Sequence, residues 1–139
     1  MIEKQVVKKY IESFKGKKIL IVGDVMVDAY MEGKVNRISP EAPIPIVSVK
    51  DRYYRLGGAA NVALNVSALG GEAILCSVIG DDEKGAVFST LLTKRNLCKE
   101  GIIQSKHRKT TVKTRIISDG QHLLRVDEED SHYISEQNR

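Results

Sequence analysis

The chain has 139 residues, 42% hydrophobic and 29% charged, with 11 Gly, 3 Pro and a net charge of +4. That length suits a single domain, and the balance excludes a disordered or fibrous chain. With no Trp and 5% aromatic residues, it lacks the stacking platforms of a single-strand nucleic-acid binder, so no nucleic-acid partner is expected.

Val6, Val7, Tyr10, Ile11 and Phe14 recur at helical spacing, with Gly16 as a stop. The run Lys18-Ile19-Leu20-Ile21-Val22-Gly23 is short and rich in β-branched residues, which predicts a strand buried on both faces. Open α/β sheets place their ligands at the carboxyl end of such a strand, and here Asp24-Val25-Met26-Val27-Asp28 follows at once. From Ala29 to Arg55 the pattern alternates around Ser39-Pro40-Glu41-Ala42-Pro43-Ile44-Pro45. Proline at that density excludes helix and central strand, so two peripheral strands with a rigid loop between them are predicted.

Gly57 to Leu69 opens on glycines and becomes helical, with Ala60, Ala63, Leu64 and Ser67 as a small face, and Gly70-Gly71 ends it. Ala73 to Ile79 predicts a second buried strand, closing on Gly80-Asp81-Asp82. A helix marked by Val87, Leu91 and Leu92 follows, capped near Asp81 or Asp82 and finished by Arg95-Asn96. Gly101-Ile102-Ile103 is extended. Asp119-Gly120, flanked by 110–117 and 122–126, is a strong hairpin signal. Strand, helix, strand, helix with a separate hairpin predicts an α/β core and a small peripheral β-sheet. The chain stops at Ser135-Glu136-Gln137-Asn138-Arg139, where a further helix is expected to start.

Cys76 and Cys98 form no metal-binding or redox spacing, and Cys76, inside an apolar run, reads as a buried reduced thiol. His107, His122 and His132 are isolated, so no metal site is expected from this chain. The amino terminus is charged and mixed, and no window approaches a membrane span. A cytoplasmic location without membrane association is the expectation. Lys106, Arg108, Lys109, Lys113 and Arg115 form a basic stretch with no acid inside it.

No G-x-x-x-x-G-K-[ST] loop, G-x-G-x-x-G turn or G-x-S-x-G elbow is present, which disfavours Walker-type ATPases, dinucleotide-binding dehydrogenases and serine hydrolases of that type. What is present is a diglycine entering a helix. Glycines let a backbone approach a ligand, first-turn N–H groups face it, and Asn61 offers both a donor and an acceptor. Taken alone, the diglycine reads first as a structural turn, and the alternative for Asp28 is a loop or capping carboxylate.

The wider spacing is more specific. Gly57-Gly58-Ala59-Ala60-Asn61-x-Ala63, then Gly70, then Gly80, resembles the first signature of the PfkB (ribokinase-like) carbohydrate kinases. Gly23-Asp24-Val25-Met26-Val27-Asp28 sits where these kinases carry a sugar-binding aspartate, so the resemblance implies that Asp28 accepts hydrogen bonds from sugar hydroxyls. Arg37 to Pro45, Lys113-Thr114-Arg115 and Gln121 to Asp127 resemble the heptose-7-phosphate kinase subgroup, the kinase half of bifunctional heptose kinase/adenylyltransferases.

The resemblance implies a ribokinase-like three-layer α/β core with a lid sheet at about 29–50 and 110–127. It also implies ATP-dependent phosphorylation of a heptose 7-phosphate at its anomeric hydroxyl, on the route to ADP-heptose for lipopolysaccharide, and a homodimer through the lid. Asp28, Gly57, Gly58 and Asn61 would hold the sugar. Arg37, Lys113, Arg115 and Arg125 are the candidate phosphate partners, since an arginine fork donates two parallel bonds. The family's second signature, Gly-Ala-Gly-Asp with its catalytic aspartate, is not in residues 1–139. The expectation is therefore an amino-terminal part, inactive alone, with the ATP and Mg2+ site in the absent carboxy-terminal part and apolar surface left exposed. The alternatives are a PfkB kinase for another sugar or nucleoside, and a non-catalytic sugar-phosphate-binding module.

Overall fold

The computed structural model describes residues 3–136. The helix expected to start near Ser135 falls largely outside them. In chain order the elements are α1 (Lys4–Glu12), β1 (Lys18–Val22), β2 (Val25–Ile38), β3 (Pro45–Gly58), α2 (Ala59–Ala68), β4 (Glu72–Gly80), α3 (Glu83–Lys94), β5 (Ile102–Ser105), β6 (Val112–Ser118) and β7 (Gln121–Glu128).

The two continuous apolar runs pair in parallel, and β5 extends them into a three-stranded sheet of order β1-β4-β5. The remaining strands form a four-stranded sheet of order β3-β2-β6-β7, in which β2 and β6 run parallel and both outer pairs antiparallel. The proline-rich loop at 39–44 is a compact connection, with the Ser39 N–H donating to the Ile44 carbonyl at 2.9 Å.

The core lies where the two sheets and helices α2 and α3 meet. Ala60 and Ala63 of α2 are fully buried because their small side chains let the helix lie close on the sheet. On α3 the buried stripe is Gly85, Phe88 and Leu92, at helical spacing. Val87 and Leu91, marked from the sequence, only flank that stripe. Val25, Val27 and Ala29 of β2 join the same core with Leu56 and Val112, so the peripheral sheet is rooted in it. Beyond Gly33, β2 leaves the core and becomes mostly exposed.

Three sequence expectations change. β1 is not buried on both faces: Leu20 is 63% and Val22 72% exposed. Its only strand partner among the described residues is β4, and α1 contributes no buried residue to cover it. An apolar run reads the same whether or not anything lies against it. Cys76 is half-buried rather than buried, because it alternates with the buried Leu75 and Ser77 and so lies on the opposite face of β4. The diglycine is more than a turn before a helix: Gly58 caps α2 as expected, but both glycines also end β3, paired with Met26 and Val25.

The Asp119-Gly120 hairpin forms as expected. Ser118 pairs with Gln121, and φ is +49° at Asp119 and +81° at Gly120, the left-handed pair of a type I′ turn. A Cβ at Gly120 would meet no atom within 4 Å, so a substitution there is purely conformational in its cost. Gly120→Ala should destabilise the chain by about 1 kcal/mol in chemical denaturation, with the slope unchanged.

Candidate functional site: the inner face of the four-stranded sheet

Residues along a strand alternate between faces, so Val25, Val27 and Ala29 face the core while Met26, Asp28, Tyr30 and Glu32 share the opposite face. Cross-strand register adds Gly57, Arg55 and Tyr53 from β3, and Lys113 and Arg115 from β6. Arg125 and Asp127 of β7 extend the same face. The folded sheet thus gathers three of the predicted charged residues and Gly57 around Asp28.

Asp28 is held by Arg115. The Arg115 Nε donates to one oxygen, Oδ1, at 3.1 Å, and Nη2 lies 3.0 Å from the same oxygen as an ion pair, with side chains 25% and 18% exposed. Among the described residues the other oxygen, Oδ2, has only the Tyr30 hydroxyl, at 3.4 Å. One lobe of the carboxylate is therefore anchored and the other is available to accept from a ligand. Arg115, expected from the sequence to meet a phosphate, is paired with Asp28 in the structure.

The remaining predicted cations are distributed differently. Lys113 Nζ lies 2.7 Å from Asp127 Oδ2 and 2.9 Å from Glu129 Oε2, and those two hydrogen bonds raise its pKa above the usual lysine value. The Lys113 bond, aided by Arg125, holds the Asp127 carboxyl below its ordinary range. Arg125 donates to Asp127 from Nε at 2.9 Å and Nη2 at 3.1 Å. The basic stretch that had no acid in sequence is thus partly neutralised by residues 127–129. Arg37 lies near the far end of β2, on the order of 30 Å from Asp28 at ~3.3 Å per residue. It is not brought to the site within this chain.

The glycines have a structural duty before any ligand arrives. A Cβ on Gly58 would lie 2.3 Å from the Asp24 carbonyl, and φ there is +59°. A Cβ on Gly57 would meet Met26 Cγ at 2.6 Å. Their absence of side chain lets β3 close against the start of β2, and the Ala59 N–H donates to the same Asp24 carbonyl at 2.9 Å. Asn61 follows in the first turn of α2 and is exposed.

A cleft of about 500 Å³ opens beside Met26, lined also by Asp24, Arg108, Thr111, Glu129 and Asp130. That volume suits a small molecule. Met26 and Asp28 share a face two residues apart on β2, but Asp28 itself does not line the cleft. Among the described residues, no group of three or more His, Cys, Asp or Glu is placed to hold a metal ion, and no step is assigned to Mg2+ in this chain. No described helix is long and apolar enough to cross a membrane.

Sequence reasoning missed three residues of this face: Tyr30, Tyr53 and Arg55. The two rings stack with centroids 4.8 Å apart and planes at 8°, and the Arg55 guanidinium carbon lies 5.0 Å from each centroid. The alternation Asp28, Tyr30, Glu32 against Tyr53, Arg55, Gly57 is the signal that finds them, once β2 and β3 are treated as an antiparallel pair.

The profile described as "pfkB family carbohydrate kinase" matches residues 16–139. Bifunctional protein HldE of Helicobacter pylori (strain G27) is 50% identical over 113 residues, covering 81% of this chain and 24% of that protein. Bifunctional protein HldE of Citrifermentans bemidjiense is 40% identical over 133 residues, covering 96% of this chain and 27% of that protein. The chain thus spans about a quarter of the length of these curated relatives. Among solved structures, Arabidopsis thaliana ribokinase complexed with ribose and ATP superposes with a TM-score of 0.63 at 18% identity, covering 82% of this chain and 36% of that one. Cryptococcus neoformans ribokinase in complex with ADP gives 0.61 at 22% identity, covering 90% and 39%. The fold is ribokinase-like.

Proposed function

This chain belongs to the pfkB family of carbohydrate kinases, and we propose that it forms the sugar-binding part of an ATP-dependent kinase acting on heptose 7-phosphate. The observation that carries the reading is the Asp28 carboxylate, with one oxygen fixed by Arg115 and the other open on the sheet face. A carboxylate so held accepts from sugar hydroxyls without first losing its own orientation. The heptose assignment draws on the likeness to the HldE proteins and on the Arg37-to-Pro45 and Lys113-Thr114-Arg115 segments.

Phosphoryl transfer needs a base, a nucleotide site and charge stabilisation around the transferring group. In this reading they come from further polypeptide, which also binds ATP and Mg2+ and covers the exposed apolar side chains of α1 and β1. The product enters ADP-heptose synthesis in the cytoplasm. A homodimer through the lid belongs to the same reading: β7 is an edge strand whose Leu123, Leu124 and Val126 are exposed.

The test is calorimetry of the chain with heptose 7-phosphate, with the unphosphorylated heptose and with ATP. Binding of the sugar phosphate without measurable ATP binding is expected; tight ATP binding with no sugar binding would sink the assignment. Because Arg115 orients Asp28 rather than meeting a phosphate, Arg115→Ala should weaken both sugars alike, by roughly tenfold each. A loss confined to the phosphorylated sugar would return Arg115 to the phosphate.

A further inference from the structure

We propose that Arg55, docked on the Tyr30–Tyr53 stack, is the residue that recognises the phosphate of the sugar substrate. The inference rests on the functional reading above and names the group that selects a phosphorylated sugar over a free one.

Arg55 is the direct cross-strand partner of Asp28, so the two share a face and lie next to each other in the sheet. An arginine opposite an aspartate would ordinarily pair with it. Here Asp28 is taken by Arg115 from the other flank, and Arg55 makes no ion pair among the described residues. Its guanidinium is positioned instead by two aromatic rings, 5.0 Å from each centroid.

That difference matters chemically. A guanidinium held by a carboxylate has spent its charge and part of its donor fork. One held against ring faces is placed without being neutralised, and its N–H groups remain free for an anion. The support beneath it is itself fixed. The Tyr53 hydroxyl donates to Glu32, and that bond raises the Tyr53 pKa above the usual tyrosine value. The Tyr30 hydroxyl reaches Asp28 Oδ2, so the ring stack connects the open carboxylate oxygen to the free cation. By contrast, Lys113 and Arg125 share Asp127, and Arg37 is remote. Of the cations on this face, Arg55 is the one whose charge is not already matched.

The arrangement sets hydroxyl recognition at Asp28 beside anion recognition at Arg55, on neighbouring strands. A sugar carrying a phosphate can span both; a free sugar engages only the first.

The experiment titrates the chain and its R55Q and R55K variants with heptose 7-phosphate and with the unphosphorylated heptose, after thermal melts establish that the variants fold. R55Q should lose roughly tenfold or more in affinity for the phosphorylated sugar and stay within about twofold for the free sugar, as expected when one charge-assisted contact is removed. R55K, which keeps the charge but loses the fork, should fall between. Equal losses for both sugars, or no loss for either, overturn the role of Arg55 while leaving the sugar site standing. Failure of the unsubstituted chain to bind either sugar overturns the functional reading, and the inference falls with it.

Discussion

Asp28→Asn should lower sugar affinity roughly 100-fold while costing only about 1–2 kcal/mol of folding stability. The asymmetry follows from where the carboxylate sits. Its Oδ1 is bound by Arg115 in a mostly buried pair, but an asparagine amide oxygen can still accept from the guanidinium, so only the charge assistance of that bond is lost. Its Oδ2 is the acceptor left for hydroxyls, and bonds to a charged acceptor are worth about twice neutral ones. The amide keeps the shape, offers one neutral acceptor and turns a donor towards the ligand or towards Arg115. It therefore disturbs both halves of the arrangement at once. Calorimetry with heptose 7-phosphate, alongside a urea melt, separates the two effects. A variant that binds normally would remove Asp28 from the site, and one that binds poorly because it is unfolded would show it in the melt.

The sequence made the local features of this site legible and left its long-range contacts hidden. Asp119-Gly120 marks its own turn because two left-handed residues in a row are rarely anything else. The α3 cap is equally local: the Asp82 side chain accepts from Gly85, three residues on. The Asp28–Arg115 contact is of another kind. It joins residues 87 apart through the parallel β2–β6 pairing, which no short-range pattern announces. The sequence therefore does not show that Arg115 has a carboxylate partner. The Tyr30–Tyr53–Arg55 group was missed for a related reason. β2 and β3 slip register between Glu32 and Gly33 and again between Val35 and Arg37, so their pairing cannot be counted outward from the proline loop. Exposure of β1 was unreadable because burial depends on what covers a strand, not on the strand.

Gly80 of the glycine spacing has its explanation in the packing of the two sheets rather than in a ligand. The strand β4 ends there, beside the segment that leads into β6. The Gly80 N–H donates to Thr110 Oγ1 at 3.0 Å, and the Thr110 N–H donates to Asp82 Oδ2 at 2.8 Å. Asp82 Oδ1 accepts from the Gly85 N–H at 2.7 Å and so caps α3. One aspartate and one threonine thereby join the end of the three-stranded sheet, the start of a helix and the entry to the four-stranded sheet. A Cβ on Gly80 would lie 2.4 Å from Asp82 Oδ2, 2.6 Å from the Thr110 nitrogen and 2.7 Å from the Arg108 carbonyl. Two of those three atoms are backbone and cannot swing aside.

Gly80→Ala should consequently cost about 3 kcal/mol, the upper end of overpacking penalties, read as a lowered denaturation midpoint. Asp82→Ala should cost about 2 kcal/mol: about 1 for the helix cap, and a similar amount for the Thr110 N–H left without its acceptor. The pH dependence of the second variant distinguishes this account from simple loss of packing. Burial works against the Asp82 charge, but the N–H groups of Thr110 and Gly85 outweigh it and bring its pKa below the ordinary value. A depressed folded-state pKa means that the stabilisation is complete above the unfolded value of about 3.9 and fades as pH falls through the lower folded one. The gap between the unsubstituted chain and Asp82→Ala should hold steady from neutral pH down to about pH 5 and narrow below about pH 4. A gap of constant size across that range would mean that the carboxylate's charge contributes nothing, and that Asp82 acts only as a filler between Gly80 and Thr110.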